Sequence, residues 1–162
     1  MPQIPTIHAS AVLVGARAVL IRGDSGAGKS RLAFALLRNA QAQYLPFRRL
    51  VGDDRVHLEP VHDRLLVRPA PALAGLIELR GLGIRRLPFE PVAAIGLVVD
   101  LAAGTARLPD GADLQTVIAG IRLPRLAVAA GIDPLPLVLA RFEEQGSGSV
   151  PEWAGHSEVA LK

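Results

Sequence analysis

The chain has 162 residues, half of them apolar and none of them cysteine, with a formal charge of +3. Its length and apolar share predict a single domain with a substantial core over residues 1–145, and the absence of cysteine excludes a disulfide framework or a thiolate metal site. The small basic excess and an aromatic share of 4 % give no reason to expect nucleic acid as a partner. No apolar run is long enough to cross a bilayer and the N-terminus lacks a signal-peptide pattern, so a cytoplasmic protein is expected, without a membrane partner.

In chain order, the apolar runs 11–14 and 18–21 flank a turn at 15–17 and read as a strand pair. Residues 29–40 carry apolar side chains at Leu32, Ala33, Leu36 and Leu37, the spacing of a helix face packed on a sheet. Leu50 and Val51 form a short apolar approach to Asp53 and Asp54, and residues 56–58 and 64–68 read as further strands. Residues 69–72 read as a loop, because proline cannot donate to a ladder. Residues 77–84 read as one strand with Glu78 and Arg80 on the same face. The most hydrophobic run, 92–101, predicts a buried strand, and 114–118 and 121–128 predict two more. An amphipathic helix is expected over 134–144, with Leu135, Leu137, Val138, Leu139 and Phe142 on its apolar side. The Gly- and Ser-rich stretch 146–162 is expected to be a flexible tail, with Trp153 as its docking residue.

The strongest chemical signal lies between the second strand and the first helix. Gly23, Asp24, Ser25, Gly26, Ala27, Gly28, Lys29 and Ser30 form a complete phosphate-binding P-loop. Its glycines reach backbone conformations that turn successive amide hydrogens toward one anion, and the helix start adds unpaired N–H groups. Lys29, one of two lysines among 18 Lys and Arg residues, can reach the β- and γ-phosphates, and the Ser30 hydroxyl is placed to ligate Mg²⁺. A nucleoside triphosphate fits the spacing.

Phosphoryl transfer further needs a carboxylate near the metal, a group that aims the attacking oxygen, and positive charge at the transferred phosphoryl group. The Asp53–Asp54 pair follows an apolar strand, where pleating turns neighbours to opposite sides, so one of the two should face the phosphates. The same pair also suits a turn or a helix cap. Glu78 with Arg80 equally suits a solvent face, and His8 alone reads as a surface or strand-end histidine.

Four stretches taken together are more selective: Ile7 with His8, the P-loop, the Leu-Val-Gly-Asp-Asp-Arg-Val stretch 50–56, and the Glu-Leu-Arg-Gly-Leu-Gly-Ile stretch 78–84. In this order the chain resembles the catalytic domain of the HPr kinase/phosphorylase family over residues 7–84, and only weakly beyond residue 90. The resemblance implies an α/β, strand-rich P-loop kinase fold related to phosphoenolpyruvate carboxykinases, with a mixed sheet and few helices. It implies ATP and Mg²⁺ as cofactors and a serine of HPr, or of an HPr-like phosphocarrier protein, as the acceptor. It makes Lys29 a phosphate ligand, Ser30 and Glu78 metal ligands, Asp53 the general base, and His8 and Asp54 its assistants. Arg107 matches a catalytic arginine, and a homo-oligomer, hexameric in the family, is implied.

This chain also departs from the pattern. Arg31 stands where relatives commonly have Glu after the P-loop serine, and the chain reads as a short form without a separate N-terminal domain. Residues 127–133 lack the arginine and asparagine of the family loop linked to dephosphorylation, so a kinase with weak or absent phosphorolysis is expected. Two readings compete with this one: a non-catalytic ATP sensor acting through surface arginines on a partner, and a small-molecule kinase, against which the strand-rich pattern argues.

Overall fold

The computed structural model describes residues 5–38, 47–103, 111 and 113–146. Strand β1 (Thr6–Val14) turns at Gly15, whose φ is 65°, into β2 (Arg17–Arg22). Alternation divides both strands between two cores. Ala9, Ala11, Ala18 and Leu20 face one way, and Val12, Val14, Val19 and Ile21 face the other. Helix α1 (Lys29–Arg38) covers the second set with Leu32, Ala33 and Leu36, the face read from sequence.

β3 (Arg48–Gly52), β4 (Arg55–Val61), β5 (Arg64–Pro69) and β8 (Ala93–Leu101) complete the centre of the sheet. The start of β1 pairs with β4, β4 with β5, β5 with β8, β8 with β2, and β2 returns to β1. These pairings form a closed ring around the first core. Small residues at 9, 11, 18 and 93 let its walls approach, while Leu20, Leu65, Ile95 and Val98 fill the remaining space. β3 pairs with the later half of β1, past an irregularity between Ala11 and Val12. Outside the ring, β10 (Ile121–Val128) runs parallel to β8 and takes β9 (Gln115–Ile118) as a hairpin partner. Helix α2 (Pro134–Gly146) buries Val138 and Leu139 in the core beneath α1, whereas Leu137 is exposed, contrary to expectation. The observed fold is the strand-rich α/β arrangement with a mixed sheet and two α-helices among the described residues.

One expected element is different. Residues 77–84 are not a single strand but a hairpin of β6 (Leu76–Leu79) and β7 (Gly83–Arg86), separate from the main sheet. Gly81 and Gly83 have φ of 92° and 84°, values that let the chain reverse where a continuous strand would have required extended backbone. Pro69 closes β5 rather than opening a loop, and a single 3₁₀ turn (Pro71–Leu73) follows.

Strand direction determines where the site forms. β2 and β3 both run antiparallel to β1 and therefore parallel to each other, and β8 and β10 run with β2. Their C-terminal ends share one end of the sheet, where open α/β sheets bind ligands. No described helix is long and apolar enough to cross a membrane.

Candidate active site

The P-loop leaves β2 at Gly23 and enters α1 at Lys29. A Cβ on Gly23 would lie 3.1 Å from the Ala27 Cβ and 3.2 Å from the Leu101 carbonyl oxygen, so the end of β8 sits too close for any other residue to fit without a shift. Gly26 and Gly28 have φ of 83° and 99°. The loop is internally closed: the Ala27 N–H donates to the Asp24 carbonyl at 3.0 Å, and the Leu32 N–H reaches the Gly28 carbonyl at 3.0 Å. Lys29 lies across it, donating to the carbonyls of Gly23 at 2.6 Å and Asp24 at 2.9 Å. Its ammonium is held over the cradle by weak neutral acceptors, which an incoming phosphate can replace with a charge-assisted bond. Ser25 is exposed, and so is Arg31, in a first helical turn that contains no acidic residue.

The centre of the site is Asp53, 3 % exposed. β3 ends at Gly52, and the chain reverses through a turn closed by the Arg55 N–H on the Asp53 carbonyl at 2.8 Å, with Asp54 at φ 67°. The two aspartates therefore diverge because of this turn rather than because of strand pleating. Asp53 points inward and accepts three donors. The Ser10 hydroxyl donates to Oδ1 at 2.5 Å, the Ser30 hydroxyl shares its proton between Oδ1 at 2.8 Å and Oδ2 at 3.0 Å, and the Glu78 N–H donates to Oδ2 at 3.2 Å. Asp54 points outward to His8, whose Nδ1 lies 3.6 Å from its Oδ1, both side chains being mostly exposed. One turn thus joins a buried carboxylate beside the P-loop to an exposed carboxylate–imidazole pair at its mouth.

Glu78, the third residue of β6, has its main chain tied to Asp53 and its side chain exposed. Among the described residues no three His, Asp or Glu side chains gather as a metal site. A Mg²⁺ ion does not need three, because it keeps several waters and takes one or two protein oxygens plus substrate phosphates. The Ser30 hydroxyl, bonded to Asp53, and the carboxylate of Glu78, whose main-chain N–H bonds the same aspartate, are hard oxygen donors that fit such an ion. Arg107 lies outside the described residues, as do Trp153 and residues 147–162. Residues 129–133, after β10, turn through Gly131 (φ 83°) and end at Asp133, which accepts the Leu135 N–H at 3.1 Å as the cap of α2.

Sequence reading missed two features. Ser10 occupies the same face of β1 as Val12 and Val14, and a serine in an apolar run passes for a core residue. Its parity, shared with the helix-facing Val12 and Val14, was the available signal. Ser10→Ala should lower stability by about 1.5–3 kcal/mol, the value of a hydrogen bond to a charged acceptor. An unchanged urea midpoint would count against that bond.

The second feature is Asp100, which takes both Arg22 (Nε to Oδ1 at 2.7 Å, Nη2 to Oδ2 at 2.9 Å) and Arg125 (Nε to Oδ2 at 2.5 Å). This cluster ties the ends of β2 and β8 to the middle of β10, with Arg22 one residue before Gly23. Burial alone pushes the Asp100 carboxyl up, but the hydrogen bonds and charges of Arg22 and Arg125 outweigh it and hold the pKa below the ordinary value. A depressed folded-state pKa stabilises above the unfolded value of about 3.9, and the contribution is lost as pH falls through the folded value. Asp100→Asn should therefore cost about 2–3 kcal/mol at neutral pH, less than a fully buried pair because both arginines keep some water. The difference from the parent protein should shrink as pH falls below the ordinary aspartate range and close once Asp100 is protonated in the folded protein. Chemical denaturation at pH 7 and pH 2.5 checks both halves.

The sequence profile of the "HPr Serine kinase C-terminal domain" matches residues 2–88. An HPr kinase/phosphorylase of Limosilactobacillus reuteri is 35 % identical over 136 residues, covering 76 % of this chain and 40 % of its own length. One from Caldicellulosiruptor bescii is 31 % identical over 141 residues, covering 78 % and 42 %. The chain thus spans about two-fifths of the curated relatives it matches. The solved structure of the Hpr(Ser) kinase/phosphatase from Coxiella burnetii superposes with a TM-score of 0.66 over 88 % of this chain and 99 % of that one, at 24 % identity, a likeness of fold.

Proposed function

Because the chain belongs to the HPr serine kinase C-terminal domain family, we propose that it transfers the γ-phosphoryl group of ATP to a serine of HPr or of an HPr-like phosphocarrier protein. The observation that carries the reading is Asp53, buried and shared between the P-loop serine, Ser10 and the Glu78 main chain. A simple nucleotide-binding module has no use for this convergence.

Lys29 releases the carbonyls of Gly23 and Asp24 and pairs with the β- and γ-phosphates. Ser30 and Glu78 would hold Mg²⁺, which would supply charge neutralisation at the phosphates. The Ser30 oxygen has a lone pair free for a metal while its O–H stays on Asp53, so the two roles are compatible. Ser10 is the donor that must rotate for Asp53 to accept the hydrogen bond of the substrate serine. As that oxygen bonds to the γ-phosphorus and the bond to the bridging oxygen breaks, Asp53 takes the proton and ADP leaves. His8 and Asp54, at the mouth, assist by orienting the acceptor. Arg107 is assigned to the transferred phosphoryl group on resemblance alone.

Phosphorolysis is weak or absent in this proposal, because residues 127–133 lack the family's arginine and asparagine. Incubating serine-phosphorylated HPr with the protein and inorganic phosphate should release little pyrophosphate, and rapid release would overturn this part. A cytoplasmic homo-oligomer of the family's hexameric kind is not required by the chemistry, but suits a bacterial phosphotransferase-system regulator. ADP formation with and without carrier tests the kinase reading itself. Carrier-dependent ADP release is expected, and ATP binding without any carrier-dependent turnover would favour the sensor.

A further inference from the structure

The end of the ring opposite the P-loop is built differently. Along β8, β5 pairs at Ala93 and Ala94, and β10 pairs from Val98 onward. Between them residues 95–97 have β2 on one edge and, among the described residues, no strand on the other. The sheet forks there, and a cavity of about 550 Å³ occupies the fork, within the usual range for small-ligand sites.

The cavity has two chemical zones. Leu65, Leu97, Leu123 and Phe142 give it apolar walls, while Arg17, Arg64 and Arg122 are its basic residues, with Asp63 the only acid among the described residues of the lining. All three arginines are exposed, and among the described residues none has a side-chain ion pair or hydrogen bond. The place of Arg17 is structurally prepared: a Cβ on Gly96 would lie 2.7 Å from the Arg17 Cβ and 3.2 Å from its Cγ. The missing side chain at 96 is what lets the Arg17 stem cross β8, beside the register shift of the β2–β8 pairing.

We propose that this fork is a second ligand site, for the phosphate monoester of a small apolar compound. Three guanidinium groups against one carboxylate leave two positive charges, which a phosphate monoester matches at about −1.5 to −2 near neutral pH. Guanidinium donors suit phosphate oxygens in paired geometry, and the apolar walls take the rest of the ligand. The site is independent of the activity proposed above, since it lies at the N-terminal ends of β2, β8 and β10 and the P-loop lies at their C-terminal ends.

The test is calorimetric titration of the full chain with hexyl phosphate, hexanoate and 1-hexanol, with ATP and Mg²⁺ present at saturation to fill the P-loop. Hexyl phosphate should bind one per chain and about a hundredfold more tightly than 1-hexanol, the contribution of charge-assisted hydrogen bonds from two arginines, with hexanoate between them. Arg64→Ala and Arg122→Ala should each weaken hexyl phosphate about tenfold while leaving 1-hexanol binding and the thermal midpoint unchanged. Equal binding of hexyl phosphate and 1-hexanol, displacement of hexyl phosphate by ATP, or no effect of either substitution in a folded variant would each overturn the proposal. Hexanoate binding as tightly as hexyl phosphate would overturn its phosphate specificity.

Discussion

Asp53→Asn should lower kcat for carrier phosphorylation by about 10²–10⁴-fold, the range for removing a positioned general base, with ATP affinity nearly unchanged. The substitution keeps shape and volume but replaces one carboxylate oxygen with a donor. Whichever way the amide turns, an N–H then faces Ser10 and Ser30 or the Glu78 main chain, all of which donate to Asp53 in the parent protein. A stability loss of about 1–3 kcal/mol from that mismatch should accompany the kinetic effect. Rate and unfolding midpoint should be measured on the same preparation. A variant that stays folded and keeps more than a tenth of the parent rate would remove Asp53 from the base role.

Lys29→Ala should weaken ATP binding by about 10–100-fold, the value of a charge-assisted hydrogen bond to phosphate, and reduce transfer further because the same charge stabilises the transition state. Among the described residues the Lys29 ammonium bonds the Gly23 and Asp24 carbonyls alone. Removing it should therefore leave stability almost untouched, unlike Asp53→Asn. Equilibrium binding of a fluorescent ATP analogue, read beside a thermal melt, separates the two variants. Unchanged nucleotide affinity would mean that the triphosphate does not occupy the P-loop cradle.

How much of this was legible in the sequence depends on how local the information is. The P-loop could be read because its chemistry lies within eight consecutive residues between a strand and a helix. The separation of Asp53 from Asp54 was also legible, although the cause proved to be a tight turn at the end of β3. The hairpin at residues 76–86 was misread because Glu78 and Arg80 alternate as a strand would, and nothing in that alternation reveals that Gly81 and Gly83 have positive φ.

Long-range features were harder. The ring closes through Leu66 with Ala94 and Val67 with Ala93, two register pairs far apart in sequence that no periodicity specifies. Asp100 and Arg22 are 78 residues apart, and a charged residue near the end of an apolar strand ordinarily marks the point where the strand meets water. Ser10 illustrates the same limit at closer range. Its role exists only because β1 lies between β2 and β3 and thereby places its hydroxyl beside a carboxylate 43 residues away.

The most direct test of the account is to incubate the protein with γ-labelled ATP, Mg²⁺ and HPr, and to map the modified residue by mass spectrometry. The account predicts label on a serine of the carrier with the parent protein and almost none with Asp53→Asn. Label on a histidine, or no carrier label while the protein still binds ATP, would contradict it.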